Sequence, residues 1–315
     1  MEKVIVTGGA GFIGSHLAEE LVNRGYQVTI VDNLSTGKLE NIEELLGTAN
    51  VEFIQGSITD LPVLQKAFSY AKYVFHQSAL TSVPHSIENP LPTNEVNING
   101  TLNVLLAARD NKVKKVIFAS SSSVYGDVLT IPQRESMPPD PLSPYALTKL
   151  AGEYYCNIFS QIYGLSTISL RYFNVYGPRQ DPHSQYATVV IAFIGRITQN
   201  LPPIIFGSGE QSRDFTFIDD VVQANVLAGE SNNEGVHNIG SGRNTTINQL
   251  TAIIANLMQK KITVIHDEPR PGDPRQSLAD VSKAASFGYK PKWTLEAGLR
   301  KTIAEFKPCC NSGEG

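Results

Sequence analysis

Val4-Ile5-Val6-Thr7-Gly8-Gly9-Ala10-Gly11-Phe12-Ile13-Gly14-Ser15-His16 stands at the head of the chain, and Gln27-Val28-Thr29-Ile30-Val31-Asp32-Asn33 follows one helix later. Val4 to Thr7 is too apolar for a half-exposed strand and reads as a short buried one. Gly8, Gly11 and Gly14 then recur where the strand must turn into a helix. A residue without Cβ lets the chain turn sharply, approach a pyrophosphate closely and pack helix on strand. The helix, with Leu17, Ala18, Leu21 and Val22 on one face, is expected to stop at Gly25. Its N-terminus aims unpaired N–H groups and a dipole at phosphate. The second strand ends at Asp32, whose carboxylate suits two ribose hydroxyls and repels a 2′-phosphate, so NAD is expected over NADP. Glycine spacing alone is weak evidence. Strand, turn, helix, second strand and acid in this order make the full dinucleotide-binding pattern.

A chain of 315 residues has room for one large α/β domain and a smaller companion. Its 41% hydrophobic content is ordinary for a globular protein. A net charge of −4 argues against nucleic acid or an anionic membrane as partner. No apolar run approaches the ~20 residues of a membrane span. The start, Met1-Glu2-Lys3 followed at once by a strand, predicts no signal peptide. Cys156, Cys309 and Cys310 form neither a disulfide framework nor a metal-ligand spacing. A cytoplasmic protein of a reducing compartment is expected.

Downstream, Asn33-Leu34-Ser35-Thr36-Gly37-Lys38 is a polar loop suited to the adenosine side of a cofactor. Strands are expected at Val51–Ile54, Tyr73–His76, Lys115–Ala119 and Thr167–Tyr172, with helices between them near Val63–Tyr70 and through Asn97–Thr101. This alternation implies right-handed crossovers and a parallel, doubly wound sheet. Gln77-Ser78-Ala79 lies at a strand's C-terminal end, where ligands gather in such sheets. Ser143-Pro144 starts a helix running to Gly164, with serine as cap and proline at the first helical position. Further on, a helix over Asp220–Ala228 and a strand over Val236–Ile239 are expected to return to the main sheet. A helix at Asn248–Met258 and a strand at Ile262–Ile265 are expected in a cap. The organisation is thus a Rossmann-type doubly wound parallel sheet over residues 1–173, rejoined by 214–240. A smaller C-terminal α/β substrate-binding cap comes from 174–213 and 241–306, with a tail at 307–315.

Tyr145 and Lys149, four residues apart, share one helix face. The pair gains meaning because its helix comes directly after a strand ending in Ser120-Ser121-Ser122-Ser123. Tyrosine titrates near ~10 and is a poor base at neutral pH unless cations favour the phenolate. Lys149 and a positively charged nicotinamide are the cations expected to do so, with Lys149 also holding the nicotinamide ribose. Ser121 is placed to hydrogen-bond the same substrate hydroxyl and help pass the proton. His76, at a strand end, reads as a satisfied structural histidine. His16, His85, His183, His237 and His266 lack metal-ligand spacing, so no metal site is expected.

Thr7-Gly8-Gly9-Ala10-Gly11-Phe12-Ile13-Gly14, Val31-Asp32-Asn33, Ser121 with Val124-Tyr125-Gly126, Tyr145 with Lys149, and Arg171-Tyr172-Phe173-Asn174 together make the chain recognisable. It resembles the extended short-chain dehydrogenase/reductase family, and within it the nucleotide-sugar 4-epimerases, over residues 1 to about 306. The resemblance implies that the sugar C4 hydroxyl loses its proton to Tyr145 while the C4 hydride goes to tightly held NAD. The 4-keto sugar then rotates and takes the hydride back on its other face. It further implies cofactor contacts at Gly8, Gly11, Phe12, Ile13, Gly14, Asp32, Asn33, Ser35, Thr36, Gly37, Gln77, Ser78, Ala79, Thr81, Asn97, Ser120, Tyr145, Lys149 and Tyr172. Where many relatives carry an acid, this chain has Ser57; Ser57 and Ile58 are left to meet the adenine through hydroxyl and backbone. A homodimer through a four-helix bundle, built from the helices holding Thr101–Arg109 and Leu147–Ile158, is implied as well.

For the substrate, the resemblance implies uridine-diphosphate contacts from Asn174, Arg213 and Arg270, the last near Asp273, with Ala187, Thr188, Val189 and Phe206 enclosing the uridine. Guanidinium forks match phosphate geometry. Dehydratase and decarboxylase relatives place an acid within two positions of their catalytic Ser or Thr; here Ser122 and Ser123 follow Ser121. Enzymes restricted to non-acetylated UDP-hexoses tend to carry tyrosine at the position of Ser277, and serine leaves room for a 2-acetamido group. Ser82, Ser122 and Gln180 would then line the sugar pocket. UDP-GlcNAc and UDP-GalNAc are the favoured substrates, with UDP-Glc and UDP-Gal open beside them. A UDP-glucose 4-epimerase without acetamido-sugar activity and a 4,6-dehydratase are the alternatives.

Overall fold

The computed structural model describes residues 1–181, 188–269 and 274–306. Six strands come first along the chain: β1 (Lys3–Thr7), β2 (Gln27–Asp32), β3 (Val51–Gln55), β4 (Ala71–His76), β5 (Lys115–Ser121) and β6 (Ser166–Tyr172). They join a seventh, Gly235–Ile239, in one sheet of order Gly235–Ile239, β6, β5, β4, β1, β2, β3, and every pairing is parallel. This is the Rossmann-type doubly wound order expected, with Gly235–Ile239 at one edge. The direction of winding reverses between β1 and β4, which opens a crevice at their C-terminal ends.

Burial explains the parallel arrangement. Val4 and Val6 pack into one cluster with Leu17, Leu21, Val28 and Ile30, while Ile5 faces a second cluster with Val31, Val74, Phe118, Val104 and Phe159. Strands buried on both faces need helices on both faces. The first cluster continues without a break into Ile194, Phe215, Phe217, Leu250 and Leu299 of the later chain.

Local signals account for the main helices. The helix α1 (Phe12–Asn23) buries Gly14, Leu17, Ala18 and Leu21, and ends where Gly25 takes a φ of +81°. The helix Pro144–Tyr163 starts with the Ser143 hydroxyl accepting the Ala146 N–H at 3.2 Å and stops at Gly164 in the left-handed conformation. Before the helix Gly100–Asp110 the chain makes one π-helical turn over Glu95–Asn99. The expected strand Ile262–Ile265 lies instead at Ile265–Asp267, paired in parallel with Ile204–Phe206. β-branched residues mark a strand locally, but its ends are set by the partner, and Ile262–Val264 have none there. Among the described residues no helix is long and apolar enough to cross a membrane. Among the same residues no group of His, Cys, Asp or Glu is arranged to hold a metal ion.

Candidate active site

The turn after β1 is built as tightly as its glycines suggest. Gly8 has φ +70°, and a Cβ there would stand 2.7 Å from the Ser78 amide nitrogen. A Cβ on Gly14 would stand 2.1 Å from the Gly8 carbonyl oxygen. The turn is closed by Gly8 N–H to Val31 O at 2.8 Å and Gly11 N–H to Gly8 O at 3.1 Å. Gly11 caps α1 without a side chain, and the first turn, with Phe12, Ile13 and Gly14, carries no acidic residue. Its N–H groups are therefore offered to an anion by geometry and dipole together. A dinucleotide pyrophosphate fits this cradle, which any larger side chain would fill.

Asp32 ends β2 beside the turn. Its carboxylate accepts from Ala10 N at 3.0 Å and Leu34 N at 2.8 Å, and Gly37 passes so close that a Cβ would meet Oδ2 at 2.8 Å. Each oxygen keeps a second lone pair for a ribose hydroxyl. Asn33, Ser35 and Thr36 are exposed on the following loop, where Asn33 accepts the Ser35 N–H at 3.1 Å. Ser57 bonds Thr59, with 2.8 Å between the hydroxyls. Ile58, expected beside the adenine, has its side chain in the core against Gly100, and its carbonyl accepts from Asn103 at 3.1 Å.

Two polar clusters tie the strand ends together. Gln77 and Tyr172 meet Asn225, with 3.0 Å from Gln77 Nε2 and 2.9 Å from Tyr172 Oη to Asn225 Oδ1. His76 lies between Thr7 (2.8 Å to Nδ1) and Thr101 (3.0 Å to Nε2). Thr101 donates its own proton to Asn97 O at 2.6 Å, so Nε2–H donates to Thr101 and Nδ1 accepts from Thr7. Burial, with the Lys149 charge adding to it, pushes His76 down to about 3, which makes it the satisfied neutral histidine expected. Ser78 and Ala79 are half-buried beyond β4, with Thr81 exposed and Ser82 half-buried. Ser82 caps the helix Val83–Glu88 through the His85 N–H.

Asn97 sits in the π-helical turn. Its amide clamps Leu80, accepting from N at 2.8 Å and donating to O at 2.9 Å, and donates its other proton to Thr148 Oγ1 at 3.0 Å. With both amide protons used, Asn97 shapes the loop after β4 rather than reaching a ligand as donor. The Ser120 hydroxyl is engaged within the protein. It turns beneath the sheet and donates to Glu153, which pairs with Arg171 at 2.8 and 2.7 Å. Adjacent residues on a strand face opposite ways, so a serine run cannot aim all its hydroxyls at one ligand.

Ser121, Tyr145 and Lys149 do converge. Ser121 is the last residue of β5, opposite Tyr172. Tyr145, in the first turn of Pro144–Tyr163, has its N–H held by buried Ser86 Oγ at 3.1 Å. Lys149, one turn on, donates from Nζ to Ala119 O at 2.8 Å and lies 5.9 Å from the Tyr145 ring centroid. Burial raises the Tyr145 phenol and the Ser121 bond opposes it, while burial pushes Lys149 down to about 8.

The cap brings Asn174 (φ +29°) within 3.4 Å of Ser277 Oγ, and Gln180 within 3.4 Å of Thr188. Arg213 is buried with Nη1 donating to Ser212 O at 2.9 Å, while Val189, Phe206 and Ser122 are half-buried. Asp214, next to Arg213, accepts instead from Ser241 N and Oγ, Gly242 N and Ala279 N, and so gathers three loops. Ala187, Arg270, Asp273 and the tail at 307–315 lie outside the described residues.

Residues 4–240 match the NAD dependent epimerase/dehydratase family. The chain belongs to this family. A putative UDP-glucose 4-epimerase of Methanocaldococcus jannaschii is 41% identical over 302 residues, covering 95% of this chain and 97% of the relative. The family member UDP-N-acetylglucosamine 4-epimerase from Methanobrevibacter ruminantium M1, solved with UDP-N-acetylmuramic acid, superposes with a TM-score of 0.94 at 43% identity over 96% and 97% of the two chains. UDP-glucose 4-epimerase from Thermotoga maritima, solved with UDP-glucose, gives 0.92 at 41% identity over 96% and 98%. Glu153, Arg171, Asn225, Thr101 and Asp214 were not legible as site residues in the sequence. Their partners are set only when the strands are in register.

Proposed function

We propose that this family member is an NAD-dependent 4-epimerase of UDP-hexoses that favours UDP-GlcNAc and UDP-GalNAc. The observation that carries the reading is the convergence of Tyr145, Ser121 and Lys149 beside the Gly8–Gly14 turn and Asp32. NAD supplies the hydride acceptor and donor when bound. Tyr145 takes the proton from the sugar C4 hydroxyl and returns it, Ser121 holds the phenolate by a hydrogen bond, and Lys149 carries positive charge along the same helix face. Gly8, Gly11 and Gly14 admit the pyrophosphate, and Asp32 favours a free ribose 2′-hydroxyl.

Elimination needs an acid close to the reacting carbon, and Ser122 and Ser123 after Ser121 supply none; this disfavours a dehydratase. For the sugar, Ser277 is small and stands beside Asn174, which supports room for an acetamido group. A homodimer is part of the reading. Leu147, Tyr154, Ile158 and Ile162 form an exposed apolar stripe along Pro144–Tyr163, and Ile87 and Leu91 are exposed as well. Ile87 and Leu91 are distant in sequence, but their segments pack against this helix, and such a surface suits burial against a second copy.

An NMR time course with UDP-GlcNAc and, separately, UDP-Glc tests the reading, first without and then with added NAD. Conversion of both, faster for UDP-GlcNAc, is expected. Turnover of UDP-Glc alone would remove the Ser277 argument, and a product lighter by one water would make the protein a dehydratase.

A further inference from the structure

The Ser121 oxygen has more hydrogen-bond partners than a proton carrier can use. Ser121 caps the short turn Ser122–Tyr125, and its oxygen accepts the Ser123 N–H at 3.2 Å. The Ser123 hydroxyl donates to the same oxygen at 2.9 Å. A serine oxygen has two lone pairs and one proton. Both lone pairs are occupied from Ser123, so Ser121, which acts on the Tyr145 phenol to favour the phenolate, can meet it only as a donor.

We infer that Ser123 is a positioning residue that locks Ser121 as a donor, so that the substrate proton passes directly between the sugar O4 and Tyr145 and never through Ser121. The inference rests on the epimerase reading above and sharpens it. In the forward step the O4–H bond breaks and the Tyr145 Oη–H bond forms. The electron pair left on O4 closes the C4 carbonyl as hydride leaves C4 for NAD. A Ser121 oxygen free to accept would instead take the Tyr145 proton and stabilise the neutral phenol, which is the wrong form for the base.

Other charged or titratable groups stand on the elements packed around this helix. They are Lys149, Glu153, Tyr154, Tyr155, Cys156 and Tyr163 on the helix itself, Lys115 on β5, Arg171 and Tyr172 on β6, and Tyr125 in the capped turn. Beyond these come His85 and Glu88 on Val83–Glu88, Glu95 in the π turn, Arg109 and Asp110 on Gly100–Asp110, and His237 on the edge strand. Glu153 and Arg171 neutralise one another, and Lys149 is the cation nearest the phenol ring among them. Ser123 therefore acts on Tyr145 through Ser121 alone.

The test compares kcat against pH for wild type, Ser123→Ala and Ser123→Thr. In Ser123→Ala the limb reporting Tyr145 is expected to move up by about one pH unit, a tenfold loss of rate below it. Ser123→Thr, which keeps the hydroxyl, is expected to restore the wild-type limb. An unmoved limb in Ser123→Ala, whatever its kcat, would overturn the inference, as would a shift that threonine does not reverse. Should Ser123→Ala fail to fold, Ser123→Cys keeps the volume with a weaker donor and is read in the same way. Ultraviolet titration of the NAD-loaded proteins, with Tyr145→Phe subtracted, measures the same phenol without turnover. A wild-type chain inactive on every UDP-sugar thus counts against the epimerase reading, while the titration still decides the Ser123 inference.

Discussion

Removing one member of the Glu153–Arg171 pair should destabilise the fold more than any surface charge could. The two side chains are 3% and 5% exposed, joined by bonds of 2.8 and 2.7 Å, with Ser120 donating to the same carboxylate. Arg171 also stacks over the Tyr125 ring, 4.6 Å from its centroid, and its Nη1 already lacks a protein partner. Glu153→Ala therefore leaves a buried guanidinium with no counter-charge, at a cost of about 3–5 kcal/mol. An exposed pair such as Arg24–Glu20 is worth about 0–1 kcal/mol by contrast. Replacing both partners by methionine removes the stranded charge and is expected to be far milder than either single change. Urea denaturation of the NAD-free single and double variants measures the cycle without a ligand contribution. Single variants that each lose less than about 1 kcal/mol, the scale of a surface pair, would refute the reasoning.

Gly14→Ala should abolish NAD retention, because its Cβ would meet the Gly8 carbonyl at 2.1 Å; fluorescence titration of the purified variant with NADH checks this. Lys149 is pushed by burial to about 8 from 10.5, so between those values the unfolded chain holds more protons and stability from this group rises with pH. Lys149→Met should flatten that rise relative to wild type in denaturation curves taken across the same window. Ser277→Tyr is expected to reduce kcat/KM for UDP-GlcNAc more than for UDP-Glc, and equal losses would mean Ser277 does not filter size. Ile158→Glu should convert a dimer to monomers in sedimentation, since it places a charge in the exposed stripe of Pro144–Tyr163.

Local chemistry in the sequence foretold those parts of the site that local chemistry builds. Gly8 and Gly14 are required by a backbone contact within one turn, and Ser143-Pro144 sets the helix that presents Tyr145 and Lys149. Bonding that depends on neighbours from distant strands was not legible. Asn97 has the residue type and position of a cofactor ligand but spends its amide on Leu80 and Thr148. Ser120 differs from Ser121 only by the alternation of the strand, yet it bonds Glu153 beneath the sheet. Asn225 and Thr101 gain meaning only after Tyr172 and His76 are brought beside them.

The most direct test of the central claim is turnover of UDP-GlcNAc carrying deuterium at C4, followed by NMR in ordinary water. Hydride that leaves C4 and returns to the same carbon without meeting solvent predicts the C4 epimer with its deuterium retained. Epimer formed with deuterium lost to water would mean proton abstraction at C4, and would contradict both the base role of Tyr145 at O4 and the hydride-holding role of the NAD cradle.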